Sequence, residues 1–94
     1  MDKYEKYLMY YMEDYIIKLV YNVLDNSKDD PHYSAVTATN LIKCYVKVAN
    51  DKGVQLPYKT VEEFFRYFDL SLEEYEHFER QRKEELEIYV GEVF

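Results

Sequence analysis

A chain of 94 residues is long enough for one domain and too short for two, and this one carries a net charge of −7. Its hydrophobic content of 48%, with 12 Tyr and 5 Phe, predicts a folded core and excludes a disordered chain. A single cysteine excludes a disulfide-stapled scaffold, and no signal peptide or run of about 18 apolar residues is apparent, so we expect a cytoplasmic protein.

The first predicted element is a helix over about residues 3–25, because apolar side chains recur there at three- and four-residue steps. The side chains expected on its core side are Tyr4, Leu8, Tyr11, Met12, Tyr15, Ile16, Leu19, Val20 and Val23.

A flank of the same helix carries Tyr10, Ile17 and Tyr21, at steps of seven and four residues. Such spacing places them on one continuous ridge, and surplus apolar surface of this kind often marks an interface. We therefore predict a homodimer with this ridge as its interface. In the alternative, the C-terminal segment folds back over the ridge within a monomer.

A loop over residues 26–33 follows, rich in Asp and Ser. Either Asp30-Pro31 or Ser34 is expected to begin the next helix, over about residues 34–50 and ending before Gly53. Cys44 widens the apolar side of that helix, which predicts a buried and inert thiol. The predicted core stripe is Ala38, Leu41, Ile42, Tyr45, Val46 and Ala49.

Two capping boxes, Thr60 with Glu63 and Ser71 with Glu74, predict helix starts eleven residues apart. The helices they begin are expected over about residues 61–68 and 72–90. Their inward side chains are Val61, Phe64, Phe65, Phe68, Tyr75 and Phe78. The wholly polar stretch 79–85 is expected to project into solvent. The tail after it fits a strand or a helix, and we favour a helix to about residue 90 with Gly91 as its stop.

The chain is thus predicted to be a single all-α domain over residues 1–94, with a long N-terminal helix packed on a tri-helical helix-turn-helix-like unit. Residues 35–82 resemble the last three helices of a cyclin-like repeat in archaeal transcription factor B, and phage small terminase subunits show a similar pattern. The matching positions are Ala35, Ala38, Leu41, Ile42, Thr60 to Phe64, Leu70, Ser71 and Tyr75. The resemblance implies a local fold and no particular activity.

The pattern of reactive residues does not favour an enzyme, a cofactor or a metal. With only two glycines the chain has no Gly-rich phosphate loop. Glu74 and His77 form one Glu-x-x-His step, whereas a di-metal bundle requires two such steps and two further Glu residues. We expect Glu74 to act as a helix cap instead.

Charge is uneven along the sequence, with −3 over residues 1–30, +3 over 31–60 and −7 over 61–94. The helix that would read DNA begins with Glu73, Glu74 and Glu76, which oppose a phosphate groove. We therefore favour a non-enzymatic protein–protein interaction module, with itself and a further, basic protein as partners. Such a module would suit a regulator or accessory protein of a virus or mobile element. The alternative is a helix-turn-helix DNA-binding regulator, with contacts from Lys43, Lys47, Lys52 and Lys59.

Overall fold

The computed structural model describes residues 2–25 and 34–93, with the side chains of 89–93 excepted, and the predicted loop over 26–33 lies outside them. All regular structure in the described residues is helical, which confirms the all-α class. The helices are α1 (Lys3–Leu24), α2 (Ala35–Asp51), α3 (Val61–Tyr67) and α4 (Leu72–Val93). The long α1 packs on α2 and α4, α2 also packs on α4, and the short α3 packs on α2.

Side-chain caps explain where three of the helices begin. Asp2 Oδ1 accepts a hydrogen bond from the Glu5 amide at 2.8 Å and starts α1. Thr60 Oγ1 accepts from the Glu63 amide at 3.1 Å at the start of α3, and Ser71 Oγ accepts from the Glu74 amide at 3.1 Å at the start of α4. Each cap satisfies an amide that the helix itself leaves without an acceptor.

The start of α2 is capped twice, by the residue directly before the helix and by a side chain of α4. Ser34 Oγ accepts from the Thr37 amide at 3.0 Å, which selects Ser34 among the two predicted starts. The two carboxylate oxygens of Glu85 accept from the amides of Ala35 and Val36 at 3.1 and 2.9 Å. The predicted projection of 79–85 into solvent is therefore wrong, because this stretch of α4 packs beside α2 and delivers Glu85 to its N-terminus.

A residue in the left-handed backbone conformation follows each of α2 and α3 and accounts for where these helices end. Gly53 has a φ of 72° and follows α2 in the left-handed conformation that glycine adopts without a Cβ penalty. Asp69 occupies the same region after α3 with a φ of 58°, and the amide of Leu70 donates to the Phe65 carbonyl at 2.9 Å. Gly91 does not end α4, which continues to Val93. The tail is thus helical to Val93, as the last turns of α4.

The core is aliphatic between the long helices and aromatic at the α3 end. It holds these buried side chains: Met9, Ile16, Leu19, Val20, Ala35, Ala38, Ile42, Tyr45, Ala49, Tyr58, Phe64, Phe65 and Phe78. The ring of Phe65 packs on Phe78 of α4 at 4.9 Å between centroids, and Tyr58 packs on Phe64 at the same distance. These ring contacts tie α3 to both the preceding segment and α4.

Tyr58 is a core residue that the sequence reasoning missed. It lies two residues before the Thr60 cap and packs on Phe64, the fourth residue of α3. An apolar residue that packs on the fourth helical residue is expected directly before the N-cap, where this chain has Lys59, so that rule does not identify Tyr58.

Candidate interaction surface

The outer side of α1 exposes a continuous set of large side chains. We call this set the outer aromatic face, and its members are Tyr4, Tyr7, Leu8, Tyr11 and Tyr15, each between 52% and 80% exposed. The rings of Tyr7 and Tyr11 lie 5.3 Å apart, and the N-terminal part of the face lines an open groove of about 420 Å³. The largest contiguous apolar patch on a protein surface is often an interaction site.

The inner face of α1 is formed by Met9, Ile16, Leu19 and Val20, none more than 7% exposed. Four of the residues predicted for the core are therefore on the outside, and that prediction is wrong for them: Tyr4, Leu8, Tyr11 and Tyr15. Each residue advances about 100° around a helix, so both sets satisfy three- and four-residue spacing while their centres lie roughly 120° apart, with Leu19 at the boundary between them. The aliphatic inner face is buried, while the outer aromatic face, which is mostly tyrosine, remains in contact with water.

The three residues of the predicted dimer ridge do not share one environment. Tyr10 and Tyr21 are exposed, whereas Ile17 is half-buried and packs against the core. Tyr10 adjoins the outer aromatic face, with its ring 6.0 Å from that of Tyr11. The largest exposed apolar surface of α1 thus lies on its outer aromatic face rather than along the predicted ridge.

The lysines proposed for DNA contact fall in three places. Lys43 and Lys47 are exposed one turn apart on α2. Lys52 forms an ion pair with Glu5 of α1 at 3.0 Å. Lys59 is one of the residues that line a groove of about 250 Å³ at the C-terminal part of α2.

The first turns of α4 present carboxylates, as the sequence indicates. Glu73 and Glu76 are exposed, and Glu74 accepts from the Ser71 hydroxyl at 3.2 Å. Further along, Glu79 pairs with Arg82 at 2.7 Å. A phosphate backbone approaching this end of α4 would meet net negative charge.

Cys44 is exposed, so the prediction of a buried thiol is wrong. Cys44 lies about 100° around α2 from the buried Tyr45 and about 200° from the buried Ile42, which places it on the side away from the core. His77 is half-buried on α4. No group of His, Cys, Asp and Glu in the described residues has the arrangement of a metal site.

Glu13 connects α1 to the aromatic part of the core. Its Oε2 accepts hydrogen bonds from the hydroxyls of Tyr45 and Tyr58 at 3.4 and 3.3 Å. Burial, followed by the negative charge of Glu13, raises the pKa of Tyr45 to about 12. The same causes raise the pKa of Tyr58. Both phenols therefore stay protonated and act as donors at neutral pH.

No protein-family model, curated protein or solved structure matches the chain. Among the described residues, no helix is both long and apolar enough to cross a bilayer.

Proposed function

We propose that the protein is a small non-enzymatic protein–protein interaction module that self-associates through the outer aromatic face of α1. The observation that carries the proposal is the exposure of four tyrosines and Leu8 on one side of a helix whose other side is fully used by the core. Tyrosine suits such a surface because it offers a large apolar ring with a hydroxyl that remains hydrated at the rim.

The size of the face supports a second copy as its occupant. With about 200 Å² per tyrosine ring when fully exposed, the face offers on the order of 500–600 Å². A stable interface of standard size buries about 800 Å² on each partner. A two-fold dimer uses the same face on both chains and thus covers both at once, with nearby side chains supplying the remaining area.

The wider role that we attach to this module is that of a cytoplasmic regulator or accessory protein of a virus or mobile element. Small size, an acidic balance and a lack of catalytic motifs in the sequence support this class. The acidic residues of α4, exemplified by Glu73 and Glu76, favour a basic protein as a further partner by charge complementarity.

Sedimentation equilibrium at tens of micromolar tests the proposal with one variant and one matched control. Leu8→Glu places a charge in the outer aromatic face, where Leu8 is 63% exposed. Leu72→Glu makes the same change on α4, where Leu72 is 66% exposed. We expect a wild-type dimer, a monomeric Leu8→Glu variant and a dimeric Leu72→Glu variant. A monomeric wild type, or an Leu8→Glu variant that dimerises as the wild type does, would refute self-association through this face.

Substitution at Ile17 of the predicted ridge does not separate an effect on dimerisation from an effect on folding. Ile17 is half-buried against the core, so Ile17→Glu would perturb folding as well as any interface. Leu8 avoids this difficulty, because its side chain is mostly in water in the single chain.

DNA binding through α2 is the second candidate, favoured by the exposure of Lys43 and Lys47 on one helix. A gel-shift titration at low salt checks it, because binding by phosphate contacts weakens steeply with added salt. Salt-sensitive binding that Lys43→Glu abolishes would support this candidate. We expect no shift, since Lys52 is paired with Glu5 and α4 is acidic.

A further inference from the structure

The spacing of the outer aromatic face defines how two copies can pair. Tyr4, Leu8, Tyr11 and Tyr15 follow one another at steps of four, three and four residues. We call these four positions the seam. Alternating steps of three and four residues are those by which two α-helices pack side chains along a shared line. The order of these steps reads the same from either end.

We infer that two copies pair through α1 in antiparallel orientation, with the two-fold axis between Leu8 and Tyr11. The inference rests on the proposed self-association and adds its orientation and register. In this register Tyr4 lies level with the partner's Tyr15, and Leu8 lies level with the partner's Tyr11. Every seam position then meets an apolar side chain, because the palindromic order of steps is preserved by the two-fold axis.

The residue that continues the seam distinguishes this arrangement from a parallel one. Lys18 comes three residues after Tyr15, on the same side of α1, and its side chain is 70% exposed with an ion pair to Asp14 at 2.9 Å. In a parallel dimer in register, Lys18 would face the partner's Lys18 across the seam. Like charges at such a position oppose pairing.

Antiparallel pairing removes that conflict. Lys18 then passes the level of the partner's Tyr4 and reaches the start of the partner's α1. That helix start carries Asp2, whose carboxylate caps α1 in each chain. This helix start also carries Lys3, so Lys18 meets one charge of each sign there, whereas in a parallel dimer it meets the partner's Lys18 at a seam position.

Disulfide cross-linking tests the orientation, in a Cys44→Ser background because the native thiol is exposed. Tyr4→Cys and Tyr15→Cys chains are prepared separately, one with a mass tag, and are oxidised alone and as a mixture. In the antiparallel register the partner's Tyr4 lies level with Tyr15, which is eleven residues from Tyr4. The two Tyr4 positions are therefore about 16 Å apart along the helix axis, too far for a disulfide. We expect the mixed product to exceed either self-linked product at least about tenfold.

The outcomes separate this inference from the proposed function. Sedimentation of each cysteine variant establishes beforehand whether the dimer forms, and a monomeric wild type refutes the proposed function itself. A dimer in which Tyr4→Cys links readily to itself overturns the antiparallel orientation. A dimer in which the mixture gives no linked product overturns the register.

Lys18→Leu provides a second measurement that does not depend on cross-linking. In the antiparallel dimer Lys18 lies beyond the last seam pair, so we expect the dimer Kd to change by less than about threefold. A parallel dimer would tighten by more than about tenfold, because two facing charges are replaced by two facing leucines. Tightening of that size would overturn the inference.

Discussion

The two sides of α1 are similarly apolar in sequence and opposite in environment. The inner face is aliphatic, with Ile16 and Val20 at 1% exposure, and lies against α2 and α4. The outer aromatic face is rich in tyrosine and remains open in the single chain. The difference shows that apolar periodicity is present on both faces and does not state which of them packs in the core.

The largest expected effect contrasts one residue type at a buried and at an exposed position of α1. Leu19 is 0% exposed, and Leu19→Ala should lower the free energy of unfolding by about 3 kcal/mol through lost burial and a residual cavity. Leu8→Ala removes the same atoms from the outer aromatic face and should change the free energy of unfolding by less than about 0.5 kcal/mol. Urea denaturation at a concentration where the chain is monomeric measures both. Equal losses would show that Leu8 is as important to the fold as the buried Leu19.

Alkaline pH should weaken the attachment of α1 to the aromatic core. Unfolded tyrosines ionise near pH 10, whereas the pKa of Tyr45 in the fold is raised to about 12 by burial and by Glu13. Between these values the folded chain retains a proton that the unfolded chain has lost. The free energy of unfolding should therefore be unaffected by this group below pH 10 and fall as pH rises from 10 to 12.

Denaturation curves across that range provide the measurement for this pH dependence. Tyr45→Phe removes the titrating phenol and should make the fall shallower. Glu13→Gln removes the charge that helps to raise the pKa and should have a smaller effect in the same direction. A Tyr45→Phe variant with the slope of the wild type would contradict this account.

A smaller effect of opposite sign is expected at Thr39 on the buried side of α2. Its Oγ1 is buried and, within the described residues, has no hydrogen-bond partner. Thr39→Val keeps the shape and removes the unsatisfied hydroxyl, which should raise the free energy of unfolding by about 1 kcal/mol. Thr37→Val is the matched control, because Thr37 is exposed and its hydroxyl accepts from Ser34 at 2.7 Å. A loss of stability in Thr39→Val would mean that this hydroxyl does have a partner.

The smallest effect is expected at Cys44, where modification should leave stability unchanged. The thiol is exposed, so a thiol reagent should label it in the native state as fast as it labels the denatured chain, to within about tenfold. The labelled protein should melt within a degree or two of the unlabelled one, since no core contact is lost. Protection from labelling without denaturant would restore the buried placement that the sequence predicted.

Local signals in the sequence were sufficient to place the helices. The capping residues Thr60 and Ser71 start α3 and α4 as predicted, and Ser34 is one of the two starts predicted for α2. Gly53 follows α2 in the left-handed conformation that its lack of a Cβ permits. These features involve residues at most a few positions apart, so they can be recognised without knowledge of the fold. Gly91 shows the limit of such signals, because α4 continues past it.

The sequence by itself determined that the chain forms helices, roughly where each begins, and that α1 carries more apolar surface than one short chain can cover. Tertiary structure alone decided which side of α1 is buried, because both sides have the helical period and only packing against α2 and α4 separates them. It also decided that Glu85 caps α2 from fifty residues away, that Tyr58 joins the core and that Cys44 faces outward. Each of these depends on contacts between distant segments, and the spacing of residues within one helix does not specify them.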